Sequence, residues 1–147
     1  MTHMVETILL ATDGSEHARR ATAHAIALAK RADAALQAVF VVDTRDLGEP
    51  ALSSVELLID EYEDRGRAVL AEIEAVATQH GVEIETRCCH GTPLEEIQAM
   101  ADAVDADVIV VGERGETHEI RDGEVTRALR ERDRRVIVAD GGYPSEL

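Results

Sequence analysis

The sequence predicts a single α/β domain spanning residues 1–147, a doubly wound parallel sheet of five strands flanked by four helices. Two observations carry this. Apolar runs of strand length alternate with segments of helical period from end to end, without internal repeats. Hydrophobic residues make up 45% of the chain but aromatic ones only 2%. The core must therefore be packed from Ala, Val, Ile and Leu, a composition that suits a parallel sheet covered by helices. A chain of 147 residues buries roughly 70% of its unfolded surface in one core, which makes one domain the natural division.

The elements follow in order. "TILLA" (Thr7 to Ala11) is a continuous apolar run closed by "TDGS", as expected of a central strand buried on both faces. Ser15 is placed to cap a helix whose apolar stripe is Ala18, Ala21, Ala25, Leu28 and Ala29. Those small residues let the helix approach the sheet closely. "ALQAVFVV" (Ala35 to Val42) is the second strand, and "DTRDLGEPALSS" a loop. From Val55 a long helix carries Leu58, Ile59, Tyr62, Val69, Ile73 and Val76 on one face and stops at Gly81. Gly66 inside it costs about 1 kcal/mol relative to alanine.

"VEIETRC" (Val82 to Cys88) alternates with one more polar face, which predicts a strand near the sheet edge. "GTPLEE" starts the third helix, with Thr92 as N-cap, Pro93 at the first position and Glu95 completing a capping box. Leu94, Ile97, Ala101 and Val104 form its buried stripe. "DVIVV" (Asp107 to Val111) is the fourth strand. A short helix around Val125, Ala128 and Leu129 leads to "RVIVA" (Arg135 to Ala139), the fifth. Right-handed crossovers place a ligand site outside the carboxyl ends of the strands, where their order reverses. The turns after the first and fourth strands are the candidates, which sets Asp13 opposite Gly112.

Thirty acids against fifteen bases give a net charge of −15, which repels nucleic acids and anionic membranes and excludes both as partners. Lys30 is the only lysine, and so acidic and lysine-poor a surface predicts a halophilic source. Cys88 and Cys89, the only cysteines, are adjacent and make no disulfide framework, which suits a reducing cytoplasm. The early apolar run Ile8 to Ala11 is too short for a signal segment or a membrane span.

Chemistry-bearing motifs are few. No P-loop lysine motif and no G-x-G-x-x-G occurs, and no nucleophile is paired with a base, so the chain reads as a non-enzyme. In "CCH" (Cys88, Cys89, His90), neighbouring strand residues face opposite ways and one metal could not easily take both thiolates, so the cysteines read as small buried hydrophobes. His17 and His24 share a helix face that reads as solvated. "GERG" after the fourth strand can turn amides toward an anion, or supply ordinary turn geometry.

Taken together, "ILLATDGSEHARRATAHAIALAK", "VFVVD", "GTPLEEI", "ADVIVVGERG" and "RVIVAD" resemble the universal stress protein (UspA-like) family over nearly the whole chain. The resemblance implies a Rossmann-like, usually dimeric fold, and a family divided into ATP-binding and ligand-free members. It implies that Asp13 contacts adenosine and that Val41, at the end of the second strand, reads adenine through backbone groups. After the fourth strand the family pattern is Gly, two residues, Gly, nine residues, then Gly followed by Ser or Thr. Gly112 and Gly115 match the first pair. Only seven residues then separate Gly115 from Gly123, and Glu124 stands where the hydroxyl residue belongs. Val125, next along, completes the residues that would meet ribose and phosphates.

Glu113, Glu116, Glu119, Asp122 and Glu124 against Arg114 and Arg121 give residues 112–125 a charge of −3, beside an ATP of roughly −4. One such repulsion at 4 Å is worth about 4 kcal/mol at an effective dielectric of 20. Glu124, near a helix start, can itself occupy the anion position. Molar salt screens such charges, and magnesium can bridge a carboxylate and a phosphate. Two readings stay open: a stress-response regulatory module with a degenerate ATP-type site that takes ATP with Mg2+, and a ligand-free protein-interaction module. A weak ATP hydrolase is a distant third. A cytoplasmic homodimer paired through the edge of the last strand completes the expectation. For a halophilic chain, thermal stability should rise steadily from dilute buffer to molar KCl, and equal stability in dilute buffer would contradict that origin.

Overall fold

The computed structural model describes residues 5–14, 16–43, 52–112 and 135–139. In chain order the elements are β1 (Thr7–Thr12), α1 (Glu16–Ala32), β2 (Ala35–Asp43), α2 (Leu52–Gln79), β3 (Ile84–Gly91), α3 (Pro93–Val104), β4 (Val108–Gly112) and β5 (Arg135–Ala139). The predicted alternation is present, and the sheet has all five strands in parallel in the order β3-β2-β1-β4-β5. The helix expected around Val125 and the cap expected at Ser15 lie outside the described residues.

β1 occupies the middle, pairing with β2 on one side and β4 on the other. Alternate residues feed two cores. Ile8, Leu10, Leu36, Ala38, Phe40, Val108 and Val110 pack under α1 and α2, while Leu9, Val39, Ile109, Val111 and Val136 pack with Ile97, Met100 and Ala101 of α3. The alanine stripe of α1 is buried as predicted, and α1 lies over β1, β4 and β5. Its buried arc is wider than that stripe and takes in Ile26 and His24, so His24 is a buried residue and not part of a solvated face.

Two further expectations are corrected by packing. Gly66 is not a weak point that alanine would mend: a Cβ there would lie 2.5 Å from Phe40 Cδ1 and 3.0 Å from Cys88 Sγ. The bare backbone at Gly66 is what lets α2 descend onto β2 and β3. Val76 is exposed, because the buried stripe of α2 runs through Gly66, Leu70, Ile73 and Ala77 and Val76 lies roughly 90° round from its centre.

All three described helices end in one hydrogen-bonding pattern. Ala34, Val82 and Ala106 each donate their N–H five residues back, to Ala29, Ala77 and Ala101, and each is buried. The residue before each is left-handed: Asp33, Gly81 and Asp105. Gly81 is the predicted stop. The two aspartates hold the same conformation despite their Cβ, at a helix end whose dipole opposes their charge. At the start of α3, Thr92 is the N-cap residue and Pro93 follows it, but no side-chain capping bond forms. The predicted capping box is therefore absent; Thr92 is held through its carbonyl, which accepts from Glu96 N–H at 3.0 Å. Glu95 and Glu96 still complement the helix dipole.

At the amino ends of the strands, the Asp107 carboxylate accepts from the Glu6 and Thr7 N–H groups at 2.8 and 3.0 Å. This clamp joins the entries to β1 and β4, the two strands farthest apart in sequence that must lie side by side. Asp107→Ala should lose about 1.5 to 3 kcal/mol, the range for hydrogen bonds to a charged group, measured by urea denaturation. A loss no larger than that of a neutral surface substitution would show the clamp to be incidental.

Candidate functional site

The strand order reverses between β1 and β4, as the turns after those strands required. Pairing sets the neighbours at the carboxyl end: Ala11 lies beside Val111, Thr12 beside Phe40, and Gly112 beside Ala139. Asp13 follows Thr12, Val41 follows Phe40, and Gly112 follows Val111. Three predicted site residues thus stand at the ends of the adjacent strands β2, β1 and β4. Gly115, Gly123, Glu124 and Val125 lie outside the described residues.

The turn carrying Asp13 is shaped locally. Gly14 has φ +78°, and its N–H donates to Thr12 Oγ1 at 3.2 Å, closing the chain around Asp13. Thr12 is buried and Asp13 half-buried, so the carboxyl group starts from a braced backbone. A Cβ on Gly14 would meet Val69 Cγ2 of α2 at 3.0 Å and Phe40 Cε2 at 3.6 Å. Sequence reasoning missed Thr12, Gly14 and Phe40 as parts of this site. "TDGS" signalled the turn, but the contact with α2 had no local sign.

On the α3 side, Ala11, Val41, Cys89 and Leu94 are half-buried hydrophobic residues packed against the second core. They lie toward the carboxyl ends of β1, β2 and β3 and at the start of α3.

Cys88 and Cys89 pack on opposite faces of the sheet, Cys88 with the α1–α2 side and Cys89 with α3, as the strand alternation predicted. Both are free thiols. Among the described residues no group of three ligating side chains could hold a metal ion. Burial, with Glu63 nearby, raises the pKa of Cys88 against the opposing pull of Arg67. Burial raises Cys89 to about 11, helped by the charge of Glu96 and a hydrogen bond to it. Neither thiol is set up as a nucleophile. Glu63 also ties α2 to β3: its carbonyl accepts from Cys88 Sγ at 3.8 Å and its carboxylate lies 3.4 Å from His90 Nδ1.

Residues 4–132 match the model of the universal stress protein family. A universal stress protein of Methanocaldococcus jannaschii is 36% identical over 116 residues, covering 78% of this chain and 68% of its own. Among solved structures, the universal stress protein UspA of Lactobacillus plantarum superposes with a TM-score of 0.83 at 25% identity, covering 95% of this chain and all of that one. A universal stress protein in complex with cAMP superposes at 0.70 with 23% identity, covering 97% of this chain and 100% of its own.

The raised Cys89 pKa has a definite sign. Folding favours the neutral thiol, so the stabilisation is complete below the ordinary value of 9.0 and is lost as pH climbs to about 11. Cys88 acts in the same direction, so the informative quantity is the difference between wild type and Cys89→Ala. The wild type should lose more stability than the variant between these pH values, and parallel pH profiles would contradict the assignment.

Proposed function

The chain belongs to the universal stress protein family, and on that premise we propose that it is a regulatory module responding to an adenine nucleotide through a degenerate ATP-type site. The observation that carries the proposal is the convergence of Asp13, Val41 and Gly112 at the ends of three adjacent strands at the switch point. In this reading adenine packs against the half-buried Ala11, Val41, Cys89 and Leu94, its edge met by the backbone at Val41. Asp13 accepts from the ribose hydroxyls, and Gly112 allows close approach of the sugar and first phosphate. The complex of a related protein with cAMP supports an adenine nucleotide as the ligand class.

The phosphate half differs from the adenosine half. Seven residues between Gly115 and Gly123, Glu124 in place of a hydroxyl, and a charge of −3 over residues 112–125 oppose each added phosphate. A cyclic monophosphate of roughly −1 meets far less repulsion than ATP at roughly −4. Affinity in this reading comes from adenosine and falls with phosphate number, least so in molar salt or where magnesium bridges the ligand and a loop acid. The role in this reading is regulatory. A homodimer through the open edge of β5 and a cytoplasmic setting belong to the same proposal; among the described residues, β5 pairs only with β4, and no helix is long and apolar enough to cross a membrane.

The altered loop also favours a second reading, a ligand-free interaction module in which Glu124 holds the anion position itself. Calorimetric titration of ATP with magnesium, and of cAMP, in molar KCl separates the two. Saturable binding lost in Asp13→Ala, with Glu124→Ser tightening ATP about tenfold, an increment of 1.4 kcal/mol, is the expected result. Silence with both ligands up to millimolar concentration would reject the nucleotide reading and leave the interaction module.

A further inference from the structure

Phe40 is the single phenylalanine of the chain and is buried on β2, directly beside Thr12 of β1. Its ring lies between two glycines of distant origin. On one side a Cβ at Gly66 would come within 2.5 Å of Phe40 Cδ1 and 2.9 Å of Cγ; on the other, a Cβ at Gly14 would meet Cε2 at 3.6 Å. Val69, one helical turn beyond Gly66, closes the same group, with Cγ2 at 3.0 Å from a Cβ at Gly14. α2 therefore sits tightly on the Phe40 ring at Gly66 and, through Val69, tightly against Gly14 in the turn after β1, and close-packed groups transmit displacement.

We propose that Phe40 and Gly66 are positioning residues for the nucleotide site: the depth at which α2 seats on Phe40 at Gly66 sets the turn that carries Asp13. Any group added at Gly66 must lift α2 or push the ring. Lifting α2 withdraws Val69 from Gly14; pushing the ring moves it into the space that Gly14 leaves bare. Gly14 has positive φ and anchors its N–H on Thr12 Oγ1, so either shift acts on the residue that shapes the turn. The geometric link stands on these contacts alone, and its effect on ligand affinity rests on the nucleotide reading above.

The test uses the full chain, isotopically labelled, with Gly66→Ala, Phe40→Leu and, as control, Asp107→Ala at the opposite end of the strands. In the ligand-free protein, the amide resonances of Asp13 and Gly14 should move in Gly66→Ala and Phe40→Leu and stay in place in Asp107→Ala. Adding Phe40→Leu to Gly66→Ala should recover stability by relieving the clash, while leaving the turn displaced. Titrated with cAMP and with ATP, the first two variants should bind about tenfold more weakly and Asp107→Ala as the wild type does. Amide resonances no more displaced than in Asp107→Ala overturn the proposal, as does unchanged affinity in variants whose turn has moved. A wild type that binds neither nucleotide, with the turn still moved by the two variants, supports the positioning link and rejects the nucleotide reading. The milder Phe40→Leu keeps the test available where Gly66→Ala does not fold.

Discussion

β1 is paired along both edges and covered on both faces, and the other elements are arranged around that constraint. Ile8, Leu9 and Leu10 are fully buried, so the strand must have neighbours on each side and helices above and below. Right-handed crossovers carry the chain outward through β2 to β3, and the only place left for β4 is the opposite edge of β1. The reversal falls between β1 and β4, and in sheets of this kind the carboxyl ends at such a reversal are where a ligand crevice forms. Asp107 secures the other ends of the same two strands, so clamp and crevice are two consequences of one adjacency.

The crevice inherits its chemistry from the ends of strands and its rigidity from contacts beneath them. Asp13, Val41 and Gly112 arrive together because their strands are in register, with Thr12 beside Phe40 and Ala11 beside Val111. The turn after β1 is then approached tightly by Val69 of α2 at Gly14. The single phenylalanine of the chain stands beside the turn that carries Asp13. The acidic surface reaches into the backbone as well: Asp33 and Asp105 take left-handed positions where glycine would fit more easily, at helix ends that repel their charge. Such placements cost least in concentrated salt, where the Debye length falls to about 3 Å.

Much of this was legible in order of appearance. Continuous apolar runs marked β1, β2, β4 and β5, and Arg135 to Ala139 was bounded correctly because turn signals and charges flank it. The polar alternation of β3 predicted its edge place. The places of Asp13, Val41 and Gly112 toward the ends of β1, β2 and β4 were legible because apolar runs mark those strands. What escaped were properties created by contact between segments far apart in sequence. Gly66 reads as a helix defect until Phe40 is seen beneath it. His24 reads as solvated until the full width of the α1 footprint is known. Asp107 reads as the first residue of a strand, and nothing near it announces that its carboxylate will bind the backbone of Glu6 and Thr7. The Thr92 capping box matched its pattern in sequence and failed in geometry, since the pattern states which residues are present and not which rotamer they take.

The central claim is that the carboxyl ends of β1, β2 and β4 form one ligand-binding surface. Amide hydrogen exchange across the whole chain, with and without saturating adenine nucleotide in molar KCl, tests it most directly. The account predicts added protection at Thr12 to Gly14, Val41 to Asp43 and Val111 to Gly112, with exchange at Glu6, Thr7 and Asp107 unchanged. Protection centred on another part of the sheet or along α2, or none at millimolar nucleotide, would contradict it.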